Sequence, residues 1–127
     1  MRALPTSLIL GLALLLPNVA GAAELVMYRS SGCPYCAVWD RAIGPIYPRT
    51  EVGRRVPVRM ADIATAEAAE VALQRPVRYS PTFVLVEAGR EVGRIEGYPG
   101  EDFFWGLLDN LVLKLPGPGT TGAMPNR

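Results

Sequence analysis

The stretch that most restricts the fold runs from residue 24 to residue 43, where a short apolar run leads through a polar loop into two cysteines spaced three apart. Glu24-Leu25-Val26-Met27-Tyr28 has the length and apolar content of a buried strand, and Arg29-Ser30-Ser31-Gly32 carries the chain to Cys33. The spacing of Cys36, Trp39 and Ile43 predicts one face of a helix that starts at Cys33, and Gly44-Pro45 and Pro48 imply a kink or an end in its second half. Val56, Val58 and Met60 alternate with Pro57, Arg59 and Ala61, the pattern of a half-buried strand, and Pro57 restricts that strand to a sheet edge. Strand, helix and strand form a βαβ unit, so the chain begins a sheet with a parallel pair.

The second half supplies a hairpin and a helix. Thr65 to Leu73 is rich in Ala and Glu and predicts a short helix, ended by Arg75-Pro76 because the residue before proline disfavours helical backbone. After Ser80-Pro81, the run Thr82-Phe83-Val84-Leu85-Val86 reads as a continuous apolar strand. Ala88-Gly89 reads as a turn and Glu91 to Glu96 as the weaker return strand. Glu101 and Asp102 suit a helix N-terminus, and Phe104, Leu107/Leu108, Leu111 and Leu115 recur at helical spacing as a core-facing stripe. The order β-α-β-α-β-β-α with a right-handed first crossover predicts an α/β fold: a four-stranded mixed sheet with helices on both faces.

At the ends, Met1-Arg2, the apolar run Leu8 to Leu16, Pro17 and the small residues Ala20-Gly21-Ala22 have the layout of a secretory signal peptide, with cleavage expected near Ala22. A membrane anchor is the alternative, but a bilayer core needs about twenty apolar residues and Pro17 interrupts this run. The domain is expected over residues 23–115. Residues 116–127, opened by Pro116-Gly117-Pro118-Gly119, are expected as a disordered tail. Without Arg2, the thirteen basic side chains become twelve against twelve acidic ones, and no block of like charge remains, which argues against nucleic acid as a partner.

The chain of 127 residues has no histidine, so Ser-His-Asp and Cys-His catalysis are excluded, and its two cysteines are too few ligands for a structural zinc site. No metal or cofactor is expected beyond a redox-active disulfide. A thiol attacks a disulfide as thiolate, which requires its pKa to fall from about 8.5. At the start of a helix, Cys33 meets unpaired N–H groups and the positive end of the dipole, while Cys36 lies one turn inside and is shielded. Cys33 is therefore the expected nucleophile and Cys36 the resolving thiol, with Pro34 suited to the first helical turn and Tyr35 exposed where a partner can pack on it. A static disulfide is the alternative, although so small a loop removes little entropy from the unfolded chain. Trp39 and Tyr98 read either as borders of a substrate groove or as core aromatics.

The residues Tyr28 to Cys36, Ser80-Pro81-Thr82 and Gly97 to Phe104 resemble the thioredoxin superfamily across roughly residues 24–113, and Cys33-Pro34-Tyr35-Cys36 is similar to the glutaredoxin active-site pattern. The resemblance implies a thioredoxin-like fold, a cis-proline at Pro81 facing the disulfide, and Ser80 offering backbone hydrogen bonds to an extended substrate. Pro34, Tyr35, Ser80 and Pro81 are thus the expected substrate-binding residues. Two departures stand out: Met27 occupies the place of a buried aspartate in thioredoxins, and the glycines of Gly97-Tyr98-Pro99-Gly100 are separated where glutaredoxins pair them. Few residues precede the first strand after cleavage, which places the expected architecture nearer to glutaredoxin.

An exported short chain of this kind is also similar to the SoxS family of periplasmic oxidoreductases that accompany bacterial sulfur oxidation. That likeness implies a periplasmic enzyme that keeps the cysteine of a sulfur-carrier protein reduced and draws electrons from a membrane thiol transporter of the DsbD or CcdA kind; a monomer is expected. Two other functions stay open from sequence: a glutathione-dependent oxidoreductase acting on small adducts, and a non-catalytic binding module with a static disulfide.

Overall fold

The computed structural model describes residues 23–65 and 70–117; the expected signal peptide, most of the expected tail and residues 66–69 lie outside that description. In chain order the elements are β1 (Glu24–Arg29), α1 (Pro34–Ala42), a 3-10 turn (Tyr47–Arg49), α2 (Glu51–Arg55), β2 (Val58–Asp62), β3 (Thr82–Glu87), β4 (Arg90–Glu96) and α3 (Glu101–Val112). The sheet order is β2-β1-β3-β4. β1 runs parallel to β2 with Met27 opposite Met60, and antiparallel to β3 with Met27 opposite Phe83. The expected four-stranded mixed sheet is present, with β2 at an edge as Pro57 implies.

Alternation along the central strands divides the interior in two. Leu25 and Met27 of β1 with Phe83 and Leu85 of β3 face a core made with Cys36 and Trp39 of α1, Tyr47, Val56, and Phe104, Leu108 and Leu111 of α3. Trp39 is 1 % exposed and its ring lies 5.5 Å from that of Phe83, so it is a core residue and does not border a groove. The predicted break after Ile43 is real: α1 ends at Ala42, and the chain turns through Tyr47–Arg49 before Thr50 caps α2 by accepting the Gly53 N–H at 2.9 Å. Gly53 admits no larger residue, since a Cβ there would collide with the Tyr47 carbonyl.

Val26, Tyr28, Val84 and Val86 form the opposite face, covered by Ala61, Ile63, Val71, Leu73 and Val77. Here the structure corrects the last part of the helix expected over 65–73; residues 66–69 of it lie outside the described residues. A 3-10 turn spans residues 63–65, Glu70 has φ +54°, and Ala72 forms a parallel bridge to Arg90. Val71 and Leu73 alternate inward on this face, and covering it outweighs the local helical preference of the stretch. Met60 is the second correction. Expected on the buried side of its strand, it is 46 % exposed, because β2 is the outermost strand and Arg29 lies beside the Met60 sulfur.

The hairpin closes through Ala88 at φ +50° and Gly89 at φ +75°, the two left-handed residues of a tight turn that matches strand twist. β4 is tied to the covering segment by a buried ion pair. Glu91 accepts from Arg94 Nε at 2.6 Å and Nη2 at 2.7 Å and from the Gln74 N–H at 2.8 Å, while Arg94 donates to the Arg75 carbonyl at 2.7 Å. This clamp anchors the strip that leads to Ser80-Pro81.

Candidate active site

Gly32, at φ +69°, turns the loop after β1 so that Cys33 becomes the N-cap of α1. The Cys33 sulfur accepts the Cys36 N–H at 3.1 Å, and Pro34 sits in the first turn, where its missing N–H is not needed. Cys33 and Cys36 form a disulfide. Their surroundings differ as expected: Cys33 is half-buried at the helix N-terminus, and Cys36 is fully buried against the apolar core.

The Ser80–Pro81 peptide is cis, as the resemblance implies, and Pro81 is buried. The turn that holds it is closed by the Thr82 hydroxyl, which donates to the Tyr79 carbonyl at 2.7 Å. The Ser80 hydroxyl lies 3.4 Å from the Cys36 sulfur and accepts the Ser30 N–H at 2.9 Å. Sequence reasoning assigned Ser80 only backbone contacts and missed this side-chain position, which links residues 44 positions apart.

Two hollows open at this site, and Cys33 lines the second. One, of about 550 Å³, is lined by Tyr35, Tyr79, Ser80, Glu96, Tyr98 and Pro99. Tyr35 is 62 % and Tyr79 58 % exposed, while Tyr98 reaches inward so that its ring lies 6.1 Å from Phe104. Tyr98 therefore both borders the groove and packs on the core, the two readings left open by its sequence position. Burial, with the charge of Glu101 adding to it, raises the Tyr98 hydroxyl above the usual tyrosine range, so it is neutral and can donate a hydrogen bond near neutral pH. The other hollow, of about 530 Å³, runs along Arg29, Ser30, Gly32, Cys33, Ala37 and Asp62.

Arg29 and Asp40 form a two-point ion pair at 2.8 and 2.7 Å that joins the end of β1 to α1 behind the cysteines. The hydrogen bonds from Arg29 hold the Asp40 carboxyl below its usual range. Sequence reasoning passed over both residues, although opposite charges placed four residues before Cys33 and four after Cys36 were a usable signal. Among the described residues, no group of three or more His, Cys, Asp or Glu side chains could hold a metal ion, and no helix is long and apolar enough to cross a membrane.

A dithiol pair at a helix N-terminus, opposite a cis-proline on a four-stranded mixed sheet, defines a thiol-disulfide oxidoreductase of thioredoxin fold. The thioredoxin-like domain model matches residues 19–111, and the chain belongs to that family. It is similar to the periplasmic thioredoxin SoxS from Paracoccus pantotrophus, solved in its reduced form: identity is 46 % over 72 % of this chain and 97 % of that one, with a TM-score of 0.70. Trxlp from Edwardsiella tarda is 28 % identical, covering 73 % of this chain and 84 % of its own, with a TM-score of 0.53. The thioredoxin of Fasciola hepatica shares the fold at 20 % identity over 71 % and 81 % of the two chains, with a TM-score of 0.52. No match was found among curated proteins. Two of these three are named thioredoxins and none a glutaredoxin, so the expected likeness to glutaredoxin finds no support in them.

Proposed function

We propose that this oxidoreductase is exported to the periplasm as a monomer and reduces protein disulfides or mixed disulfides there, with Cys33 as nucleophile and Cys36 as resolving thiol. The observation that carries the roles is the contrast between the two sulfurs: Cys33 half-buried at the N-cap of α1, Cys36 fully buried one turn inside. The Cys33 thiolate attacks one sulfur of the target disulfide, forming a mixed disulfide, and the other target sulfur leaves as a thiolate that takes a proton from solvent. Cys36, as thiolate, then attacks the Cys33 sulfur. The Cys33–target bond breaks, the target leaves with the electron pair, and the Cys33–Cys36 disulfide closes.

The exposed face of Pro34 and Tyr35, the cis-proline loop at Ser80 and Pro81, and the groove bordered by Tyr35 and Ser80 are the proposed binding surface for an extended segment of the target. The similarity to a periplasmic thioredoxin and the signal-like residues 1–22 support export. On the same resemblance the target is a periplasmic protein, a sulfur carrier's cysteine in particular, and a membrane thiol transporter restores the dithiol. The test is trapping: Cys36→Ser in the exporting cell should accumulate a mixed disulfide with the target, and Cys33→Ser should trap nothing. The reverse pattern would overturn the roles, and a trapped species confined to the cytoplasm would overturn the location.

A further inference from the structure

The roles proposed above leave one chemical difficulty. Full burial in an apolar core disfavours the thiolate of Cys36, yet Cys36 must become a thiolate to resolve the mixed disulfide. Of the charged side chains on the elements packed around it, Arg29 at the end of β1 is paired with Asp40 on α1, Glu24 is paired with Arg59, Arg41, Glu101, Asp102 and Asp109 are exposed, and Glu87 lies at the far end of β3. From β1, β3 and α3 the core around it presents Met27, Phe83 and Phe104. The polar contact made by its sulfur is the Ser80 hydroxyl at 3.4 Å.

The direction of that contact follows from valence. In the disulfide, the Cys36 sulfur carries no hydrogen, so Ser80 must be the donor. The Ser80 oxygen already accepts the Ser30 N–H at 2.9 Å, which fixes one lone pair and leaves its own hydrogen free to turn toward sulfur. A hydrogen bond to a thiolate is charge-assisted and stronger than one to a neutral disulfide sulfur.

We propose that the Ser80 hydroxyl, held by the Ser30 N–H, donates to the Cys36 sulfur and stabilises its thiolate, so that Ser80 promotes the resolving step as well as bordering the substrate groove. This rests on Cys36 being the resolving thiol. The Cys36 proton goes to solvent, its electron pair forms the new S–S bond, and the target leaves with the pair from the broken bond; Ser80 keeps its proton throughout.

Ser80→Ala removes the donor, while Ser80→Thr keeps a hydroxyl. In a Cys33→Ser background, thiolate absorbance near 240 nm titrates Cys36 without any partner. Ser80→Ala should raise its midpoint by about one unit, which is about 1.4 kcal/mol, and Ser80→Thr should leave it within a few tenths of a unit. In the two-cysteine protein, stopped-flow reaction with Ellman's reagent reads resolution as release of the second coloured thiol. Below the midpoint the variant has about tenfold less thiolate, but that thiolate is about threefold more nucleophilic. Resolution should therefore be about threefold slower there and about threefold faster once both proteins are fully ionised. Such a crossing cannot come from loosened packing alone. An unchanged midpoint in Ser80→Ala, an equal shift in Ser80→Thr, or parallel pH profiles would overturn the proposal. If Ellman's reagent instead reacted faster with the Cys33→Ser variant than with Cys36→Ser, the role assignment would fail, and the partner-free titration would still judge the hydrogen bond.

Discussion

Replacing Arg94 with Met should unsettle the domain more than any surface change, because it strands a buried charge. The side chains of Glu91 and Arg94 are 0 % and 4 % exposed, and Arg94 supplies two of the three hydrogen bonds to the Glu91 carboxylate, at 2.6 and 2.7 Å. Removing one partner of a buried pair costs about 3–5 kcal/mol, out of a total of about 5–15 kcal/mol for a domain. For a domain of about a hundred residues the melting temperature should drop by at least about 12 °C. The pH dependence gives a sharper test. In the parent protein burial pulls the Glu91 carboxyl upward, but the bonds from Arg94 and the Gln74 N–H, with the charges of Arg94 and Arg75, outweigh it and hold the pKa below its ordinary value. That contribution is present above the unfolded-state value near 4.5 and is lost as pH falls through the lower folded value. In Arg94→Met burial wins, the folded pKa lies above the unfolded one, and stability should rise as pH is lowered from 7 to 5. The double variant Glu91→Gln/Arg94→Met keeps an acceptor for the Gln74 N–H and removes the charge, so it should recover about 2 kcal/mol. Urea unfolding at pH 7 and pH 5 measures all three proteins. A loss under 1 kcal/mol in Arg94→Met, or a single variant that weakens from pH 7 to 5, would refute the reasoning.

Iodoacetamide near neutral pH should alkylate Cys33 rapidly and spare Cys36, since Cys33 is half-buried at the N-cap and Cys36 is fully buried; peptide mapping by mass spectrometry would show equal labelling if the assignment were wrong. With Tyr35 between the cysteines and no histidine in the chain, the thiolate stabilisation of strong oxidants is missing. Titration against glutathione should give a potential of about −200 to −230 mV, and a value near −120 mV would contradict a reductant. Intact mass of the exported protein should place its first residue at or near Ala23, whereas a membrane-bound form retaining residues 1–22 would exclude cleavage.

Local chemistry was enough to read much of this molecule before folding was considered. The apolar runs Leu25–Tyr28 and Thr82–Val86, the Ala88-Gly89 turn and the stripe of α3 depend on near neighbours, so they are legible in the chain itself. The same holds for the two cysteines, because their separation by one helical turn assigns exposure to Cys33 and shelter to Cys36. Tertiary structure decided what local preference could not. The Ala- and Glu-rich stretch favours a helix in isolation, but the face of Val26, Tyr28, Val84 and Val86 needs a cover, and among residues 70–73 Val71 and Leu73 supply it. Likewise, nothing in the local sequence brings Glu91 to Gln74 or the Ser80 hydroxyl to the Cys36 sulfur. Those contacts arise where sheet register and helix packing juxtapose distant residues, and polar groups so enclosed must find their partners there or remain unpaired.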